Sequence, residues 1–317
     1  MSELDVLQAI LSAAFLAGIL RVTTPILLPA LGGLISELAG VINIALEGTM
    51  LVAAFTGVVV SAYTGSPWLG LLAAMLASLL FAFLLAFFHL NLKTDLILTG
   101  LALNLLASSG TIFLLFTLTG DKGSSSRLAS LTLPALDVPA LASVPVLGPI
   151  LNGHNLIVYL AFGLVPLVWI LIYRTPYGMH LRAAGAHPEA AASAGLNVRR
   201  IRYSALLLSG LLAGLGGVYM GMGYLQLFQR DMTAGRGFIA LAAVFMGRRH
   251  PVGTMLAALL FGVAEALANQ LGNLRIPPQW VQMIPYLATV LALAIYAGVQ
   301  QRRTTQRATR LPGGPAT

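Results

Sequence analysis

Four residues in or beside the apolar stretches of this chain have side chains that could bind a polar solute. Asn43 and Glu47 lie in residues 31–50, a stretch that mixes glycines with two carboxylates and an amide. Asn104 interrupts an apolar run, and Phe238 begins a short one. An amide can hydrogen-bond a neutral solute, a ring can stack on a base, and an ionisable group in a membrane is expected to face a cavity or a partner. We therefore predict all four as solute contacts.

Each of these residues also has a structural alternative. Asn43 could hold two helices together. Glu47 could be an interfacial carboxylate that extends to water or caps the helix after it. Phe238 could be a packing residue, which is the commoner use of a lone aromatic. Asn104 has no break in the neighbouring backbone to serve, and this favours a position facing a cavity.

No pattern typical of catalysis, metal binding or cofactor binding accompanies them. A Gly-x-x-x-x-Gly-Lys-Ser/Thr phosphate loop is absent, since neither Lys93 nor Lys122 follows a glycine. The sequence has no His-Glu-x-x-His motif and no Gly-x-Ser-x-Gly elbow, and its histidines are scattered at segment ends. The lack of cysteine excludes disulfides, Fe–S clusters and thiolate zinc sites. We predict no catalytic residue, metal or cofactor, so that any ATP is hydrolysed by another chain.

The composition indicates which elements position the four residues. Hydrophobic residues make up 58% of the chain and charged residues 9%, whereas an average soluble domain has about 25% charged residues. A spanning helix needs about 20 largely apolar residues. The sequence therefore predicts one domain over residues 1–317, an all-α polytopic transmembrane helical bundle of about nine crossings. The predicted segments are 8–35, 46–64, 67–89, 95–119, 155–173, 204–225, 237–247, 252–270 and 283–300.

The distribution of Lys and Arg predicts the orientation of the bundle. If the basic tail, residues 301–317, is cytosolic, most of the 18 Lys and Arg residues lie in inner loops, as the positive-inside rule requires. An odd number of crossings then places the N-terminus outside. The stretch from Arg21 to Pro25 could divide the first segment and change the count by one. Because the arginines flank membrane segments and do not form a basic, aromatic-interleaved face, the net charge of +8 does not indicate nucleic acid.

Two long loops join the segments. Residues 120–154 are rich in Ser, Pro and Gly and are predicted to be an outer loop of turns. Residues 174–203 are predicted to face the cytosol. Within them, Pro188 suits a first helical position, Glu189 suits the positive end of a helix dipole, and Gly195 suits a helix stop. This pattern predicts a short helix that is either a surface linker or a segment that docks into a partner.

Two segments have the character of interrupted helices. Residues 31–50 contain helix-breaking glycines, and residues 237–247 are too short to span a membrane alone. Interrupted helices at membrane depth are tolerated where they are buried in protein or line a cavity. Both lead into a Gly-Thr-Met-Leu stretch, at 48–51 and 253–256. We predict a weak parallel internal repeat with the solute path between its halves, flanked by residues 37–48 and 237–247.

The chain resembles the branched-chain amino acid, sugar and nucleoside permease family of bacterial ABC importers, particularly its nucleoside-type subunits. The resemblance covers residues from about 31 to 262 and is carried by four stretches, 36–48, 94–100, 178–195, and 235–242 with 246–253. It implies a permease of the inner (cytoplasmic) cell membrane that works with an ABC ATPase, a second permease subunit and an extracytoplasmic substrate-binding lipoprotein. Residues 178–195 of this chain resemble the segment by which permeases of this family couple to the ATPase. This assigns coupling to Pro188, Glu189, Ala191, Ala192 and Gly195.

Two other functions stay open from the sequence. The first is a permease for sugars or branched-chain amino acids, because a cavity with amides, hydroxyls and aromatic rings but few fixed charges suits several neutral solutes. The second is an autonomous secondary transporter. Such a carrier is expected to have several ionisable residues in the middle of the membrane, and the aspartates here, including Asp231, are predicted near segment ends or in loops.

Overall fold

Long apolar helices dominate the part of the chain that the computed structural model describes, residues 12–137 and 148–271. Its helices are α1 (Ala13–Leu38), α2 (Leu46–Thr64), α3 (Pro67–Asn91), α4 (Leu96–Thr119), α5 (Gly148–Leu151), α6 (Leu156–Arg174), α7 (Pro176–Ala186), α8 (Pro188–Ser193), α9 (Val198–Tyr219), α10 (Arg236–Met246) and α11 (Pro251–Leu271). A π-helical turn, Met220–Tyr224, extends α9. Strands β1 (Ala135–Leu136) and β2 (His154–Asn155) pair antiparallel within the predicted outer loop.

Seven of the described helices are long and apolar enough to cross a membrane: α1, α2, α3, α4, α6, α9 and α11. The predicted count of about nine is not confirmed. Helix α10, which corresponds to the predicted segment 237–247, has only 11 residues. The predicted segment 283–300 lies outside the described residues. Helix α1 is continuous through Arg21 and Pro25, so the first segment is not divided.

The ends of the helices follow from local sequence. Ser66, Asp95 and Asn197 each cap a helix by accepting a backbone N–H from the first turn. Gly65 and Gly120 end α2 and α4 with φ of 65° and 72°, a left-handed conformation that glycine adopts without strain. These short polar breaks therefore determine where each long apolar run stops.

Helices α1 and α9 form the centre of the bundle, and α3, α4 and α6 form its perimeter. In the apolar 18-residue stretch of α9, 78% of the residues are buried, whereas in that of α4 only 22% are buried. Small residues let the central helices approach closely. A Cβ on Gly32 would lie 2.6 Å from the carbonyl oxygen of Ser209, and one on Gly217 would lie 2.0 Å from that of Met50. Because lipid tails give no hydrophobic drive between helices, this close packing is what holds the centre together.

One end of the bundle, which we call the basic end, holds most of the positive charge of the described residues. The guanidinium of Arg249 pairs with Glu37 at 2.6 Å, and the rings of Tyr173 and His250 lie 5.4 Å apart. Arg199 donates to Asn91. These contacts bring together the last residues of α1, α3 and α6 and the first residues of α9 and α11. Helices α7 and α8 lie at the same end, since Gly185 of α7 packs against Gly40.

Helix α10 returns the chain from the interior of the bundle to the basic end. It is preceded by an irregular segment, residues 225–235, and followed by the basic-end residues Arg248 and Arg249. The two Gly-Thr-Met-Leu stretches lie in the first turns of α2 and α11, which run in the same direction, away from the basic end. The internal repeat stays a prediction.

Candidate functional site

The chain between α1 and α2, residues 39–45, is irregular and, except for the exposed Gly40, buried or half-buried, so most of its backbone groups need partners within the protein. The fully buried side chain of Asn43 supplies one of these partners and also bonds a side chain of α9. Its Oδ1 accepts the N–H of Ala45 at 3.1 Å, and its Nδ2 donates to the hydroxyl of Ser209 at 2.9 Å. The structure therefore places Asn43 between α1 and α9 and inside the bundle.

Asn104 of α4 holds the start of α2. Its Oδ1 accepts the N–H of Gly48 at 2.8 Å, and its Nδ2 donates to the carbonyl of Ile44 at 2.9 Å. A Cβ on Gly48 would lie 2.8 Å from that Oδ1, so the contact requires glycine. The backbone break that Asn104 serves belongs to another helix, and for this reason the sequence around Asn104 gives no sign of it.

Glu47 joins the starts of α2 and α10. Its Oε1 accepts the N–H of Gly235 at 2.8 Å, and its Oε2 accepts the N–H of Gly237 at 2.7 Å. These N–H groups have no partner inside α10, and together they form the positive end of its dipole. A Cβ on Gly237 would lie 2.5 Å from the backbone nitrogen of Glu47. We call this meeting point of residues 43–48, 104–108 and 231–238 the junction.

Two further side chains at the start of α10 point in different directions. Arg236 forms an ion pair with Glu265 of α11, and both side chains are largely buried. Phe238 is 44% exposed, on the outer face of α10. The arginine thus anchors α10 to α11, while the ring of Phe238 faces away from the bundle.

The junction also contains Asp231, which the sequence had placed near a segment end. The hydroxyl of Ser108 donates to its Oδ1 at 2.7 Å, and Arg230 lies 3.4 Å from its Oδ2. Ser108 is at the midpoint of α4, Leu96–Thr119, so the carboxylate of Asp231 lies level with the middle of that helix, with its side chain 51% exposed. A signal was available in the sequence, since Asp231 stands six residues before Gly237, the start of the short segment predicted to flank the solute path.

The predicted coupling residues lie at the basic end. Pro188 begins α8, and Gly195 ends the turn that follows it with a φ of 85°. Glu189, Ala192 and Gly195 are exposed, whereas Ala191 is 5% exposed and packs into the bundle. The exposed face of α8 is therefore formed by Glu189, Ala190, Ala192 and Ser193.

Within residues 12–137 and 148–271, no three His, Cys, Asp or Glu side chains are grouped so as to hold a metal ion. The polar groups of the junction are amides, hydroxyls, carboxylates, a guanidinium and backbone N–H groups. Such groups can hydrogen-bond a polar molecule.

Comparison with known proteins identifies the family. The sequence profile of the branched-chain amino acid transport system permease component matches residues 15–293. The guanosine ABC transporter permease protein NupQ of Bacillus subtilis is 39% identical over 86% of this chain and 89% of its own length. The nucleoside ABC transporter permease protein NupC of Lactococcus lactis is 36% identical over 89% of this chain and 92% of its own length.

A solved structure shares the fold. PsaBC from Streptococcus pneumoniae, in complex with a Fab, superposes with a TM-score of 0.52 at 14% sequence identity, over 93% of this chain and 94% of that one. The seven apolar helices agree with a multi-pass membrane protein. The chain therefore belongs to the branched-chain amino acid transport system permease component family, whose members are the membrane-spanning subunits of ABC transporters.

Proposed function

We propose that this chain is the permease subunit of an ATP-driven nucleoside importer and that its solute path runs along the junction. The observation that carries the substrate class is the similarity to NupQ and NupC, a guanosine and a nucleoside permease, over nearly the whole of each chain. The geometry supports the path. At the level of Ser108, the middle of α4, the side chains of Arg230 and Asp231 are 61% and 51% exposed.

Exposed charges at that depth favour water over lipid as their neighbour. An Arg or Asp at the centre of a bilayer costs about 2.5–3.5 kcal/mol each by insertion scales. The side chains of Arg230, Asp231 and Phe238, all of them exposed, are therefore proposed to form one face that borders the solute path. Asn43 and Asn104 are proposed to form the wall behind this face, because both amide groups are already engaged. Asn104 bonds the backbone of Ile44 and Gly48, and Asn43 bonds the N–H of Ala45 and the hydroxyl of Ser209.

The basic end is proposed to face the cytosol. It carries Lys93, Arg174, Arg182, Arg199, Arg200, Arg202, Arg248 and Arg249. The positive-inside rule then places the start of α1 outside and the basic tail, residues 301–317, inside. At this end, α7 and the exposed face of α8 form the surface that would receive an ATPase subunit, since the chain has no phosphate loop of its own.

A complete importer would need three further subunits. An ATP sandwich uses two cassettes and the chain has one α8, so a second, related permease is proposed to engage the second cassette. A lipoprotein that binds the substrate outside the membrane would deliver it. We propose single-domain organisation for residues 1–317, with residues 120–154 on the outer side.

Uptake of radiolabelled guanosine, ribose and leucine by cells that express the whole complex tests the substrate. Guanosine uptake that disappears when the ATPase is inactivated is the expected result. Uptake of leucine or ribose without guanosine would replace the nucleoside by a branched-chain amino acid or a sugar. Guanosine uptake that survives loss of the ATPase would indicate an autonomous transporter.

Cysteine labelling tests the path, because the chain contains no cysteine. A membrane-impermeant thiol reagent should label Phe238→Cys, and guanosine should reduce this labelling. Asn43→Cys, fully buried at the same junction, is the matched control and should stay unlabelled. Labelling of position 238 that guanosine does not change, or no labelling in any state of the transport cycle, would remove this face from the path.

A further inference from the structure

We propose that Asp231 binds the vicinal ribose hydroxyls of a nucleoside as it passes the junction, and that Phe238 stacks on its base. The inference rests on the proposed nucleoside transport and names the residues that recognise the solute. It starts from an exposed carboxylate held at the depth of Ser108, the middle of α4.

The surroundings of Asp231 leave part of its carboxylate free. An ionised carboxylate has about four lone-pair positions. Ser108 donates to Oδ1 at 2.7 Å and Arg230 approaches Oδ2 at 3.4 Å, so each oxygen has one position engaged by the protein. One position on each oxygen remains, and the side chain is 51% exposed. Two neighbouring hydroxyls of one sugar suit these two positions, as carboxylates accept ribose hydroxyls in dinucleotide sites.

Phe238 is joined to Asp231 by two successive tight turns. The N–H of Ala234 bonds the carbonyl of Asp231 at 3.0 Å, and the N–H of Phe238 bonds the carbonyl of Gly235 at 3.0 Å. The ring of Phe238 is 44% exposed. Aromatic rings stack on any base, because every base has a π face. A carboxylate for the sugar and a ring for the base therefore lie on one short, folded segment.

The backbone at Asp231 is built to present the side chain. Its φ is 50°, a left-handed conformation that Asp, Asn and Gly adopt more readily than other residues. The loop is fixed from the other side by Gly123, whose carbonyl accepts the N–H of Arg230 at 2.9 Å. Asp231→Asn and Asp231→Gly therefore remove the charge, or the whole side chain, while the backbone conformation is kept.

The test compares guanosine with 2′,3′-dideoxyguanosine in proteoliposomes that contain the complete complex with its receptor. The measured quantity is the ratio of the two uptake rates in each variant divided by that ratio in the wild type, so that discrimination by the receptor cancels. Asp231→Asn and Asp231→Gly should lower the ratio about tenfold, the loss of a hydrogen bond to a charged group. Asp121→Asn, which removes a carboxylate from the loop after α4, should leave the ratio unchanged.

A second measurement keeps Asp231 intact. Ser108→Cys places a small thiol beside the carboxylate, and guanosine should protect it from an impermeant reagent better than the dideoxy compound does. An unchanged ratio in both Asp231 variants, equal wild-type uptake of the two compounds, or equal protection of the thiol would overturn the inference. If the wild-type complex takes up no nucleoside at all, the proposed function itself fails, which is a different result.

Discussion

The carboxylate of Glu47 lies between the starts of two helices, each of which carries a partial positive charge from its unpaired N–H groups. One side chain thus satisfies two donors of α10 and places a negative charge between two positive dipole ends. Most of the other polar groups at the junction act in pairs as well. Arg236 meets Glu265, and Ser108 meets Asp231.

Replacing Glu47 should destabilise the protein in a graded order. Glu47→Ala strands two N–H groups, and a buried donor without a partner costs about 1–3 kcal/mol. Glu47→Gln keeps one acceptor oxygen and should cost less. The thermal unfolding midpoint of the purified complex measures this, with Glu189→Gln on the exposed face of α8 as the control. Equal midpoints for wild type and Glu47→Ala would show that the contact does not hold α10.

His154 should make stability depend on pH. Burial lowers its pKa, the charge of Arg21 lowers it further, and the bond to the carbonyl of Ile150 partly opposes them. Because the pKa of His154 is lower in the folded protein, its imidazole binds a proton more readily in the unfolded chain. The stabilisation is complete above the unfolded pKa, near 6.5, and is lost as pH falls below it. The unfolding midpoint should drop more between pH 7.5 and 5.5 in wild type than in His154→Gln. Equal drops would contradict the assignment.

The sequence identified three of the residues that meet at the junction, Asn43, Glu47 and Asn104, because a polar group inside an apolar run must have a partner. It did not identify the partners. Glu47 receives its hydrogen bonds from Gly235 and Gly237, nearly two hundred residues later in the chain. No local pattern carries that information, and whether these residues also touch a solute stays a prediction.

At the scale of elements, the starts and stops of the helices were the most predictable features. Ser66 with Pro67, Asp95 and Gly120 have local roles that residue type alone indicates. Helix α8 was predicted over 188–195 and observed over Pro188–Ser193. Helix α7 was missed, although Thr175 caps it and Pro176 begins it, because its apolar residues are too few to stand out in a basic loop.

Variants at Ala191 and Ala192 should distinguish an effect on ATPase docking from an effect on folding. Ala192→Arg adds charge to the exposed face of α8 and should abolish substrate-stimulated ATP hydrolysis, while insertion and the unfolding midpoint are kept. Ala191→Arg places charge in the bundle and should lower the midpoint as well. ATPase activity and thermal stability, measured on the same preparations, distinguish the two effects. Full coupling in Ala192→Arg would show that the ATPase docks elsewhere.

At the scale of the whole molecule, hydrophobicity predicted the class. The described residues contain seven helices long and apolar enough to cross a membrane, so the predicted count of about nine is not confirmed. The segment 237–247 is apolar, but α10 has only 11 residues and follows the irregular residues 225–235. A high content of apolar residues indicates burial. In a segment as short as 237–247, it does not distinguish burial inside protein from burial in lipid. For the same reason, the sequence does not distinguish the central α9 from the peripheral α4.

The complex should contain two permease chains. One chain offers one α8, and two cassettes need two such surfaces. Native mass spectrometry of the purified importer should therefore show this chain with a related permease, or two copies of it, and two nucleotide-binding cassettes. A complex with a single permease chain would contradict this. As a control, Ala192→Arg should leave the number of permease chains in the complex unchanged.

The close approach at the junction has a genetic consequence. A Cβ at position 48 or 237 would fall within 3 Å of a neighbouring heavy atom, whereas Gly18, Gly110 and Gly163 have nothing within 4 Å. In a library that randomises these five codons under selection for uptake, positions 48 and 237 should return glycine alone, and the other three should return many residues. The residues that selection permits would then report the contact between the starts of α2 and α10. Homologous importers that have a side chain at either position must pack these helix starts differently.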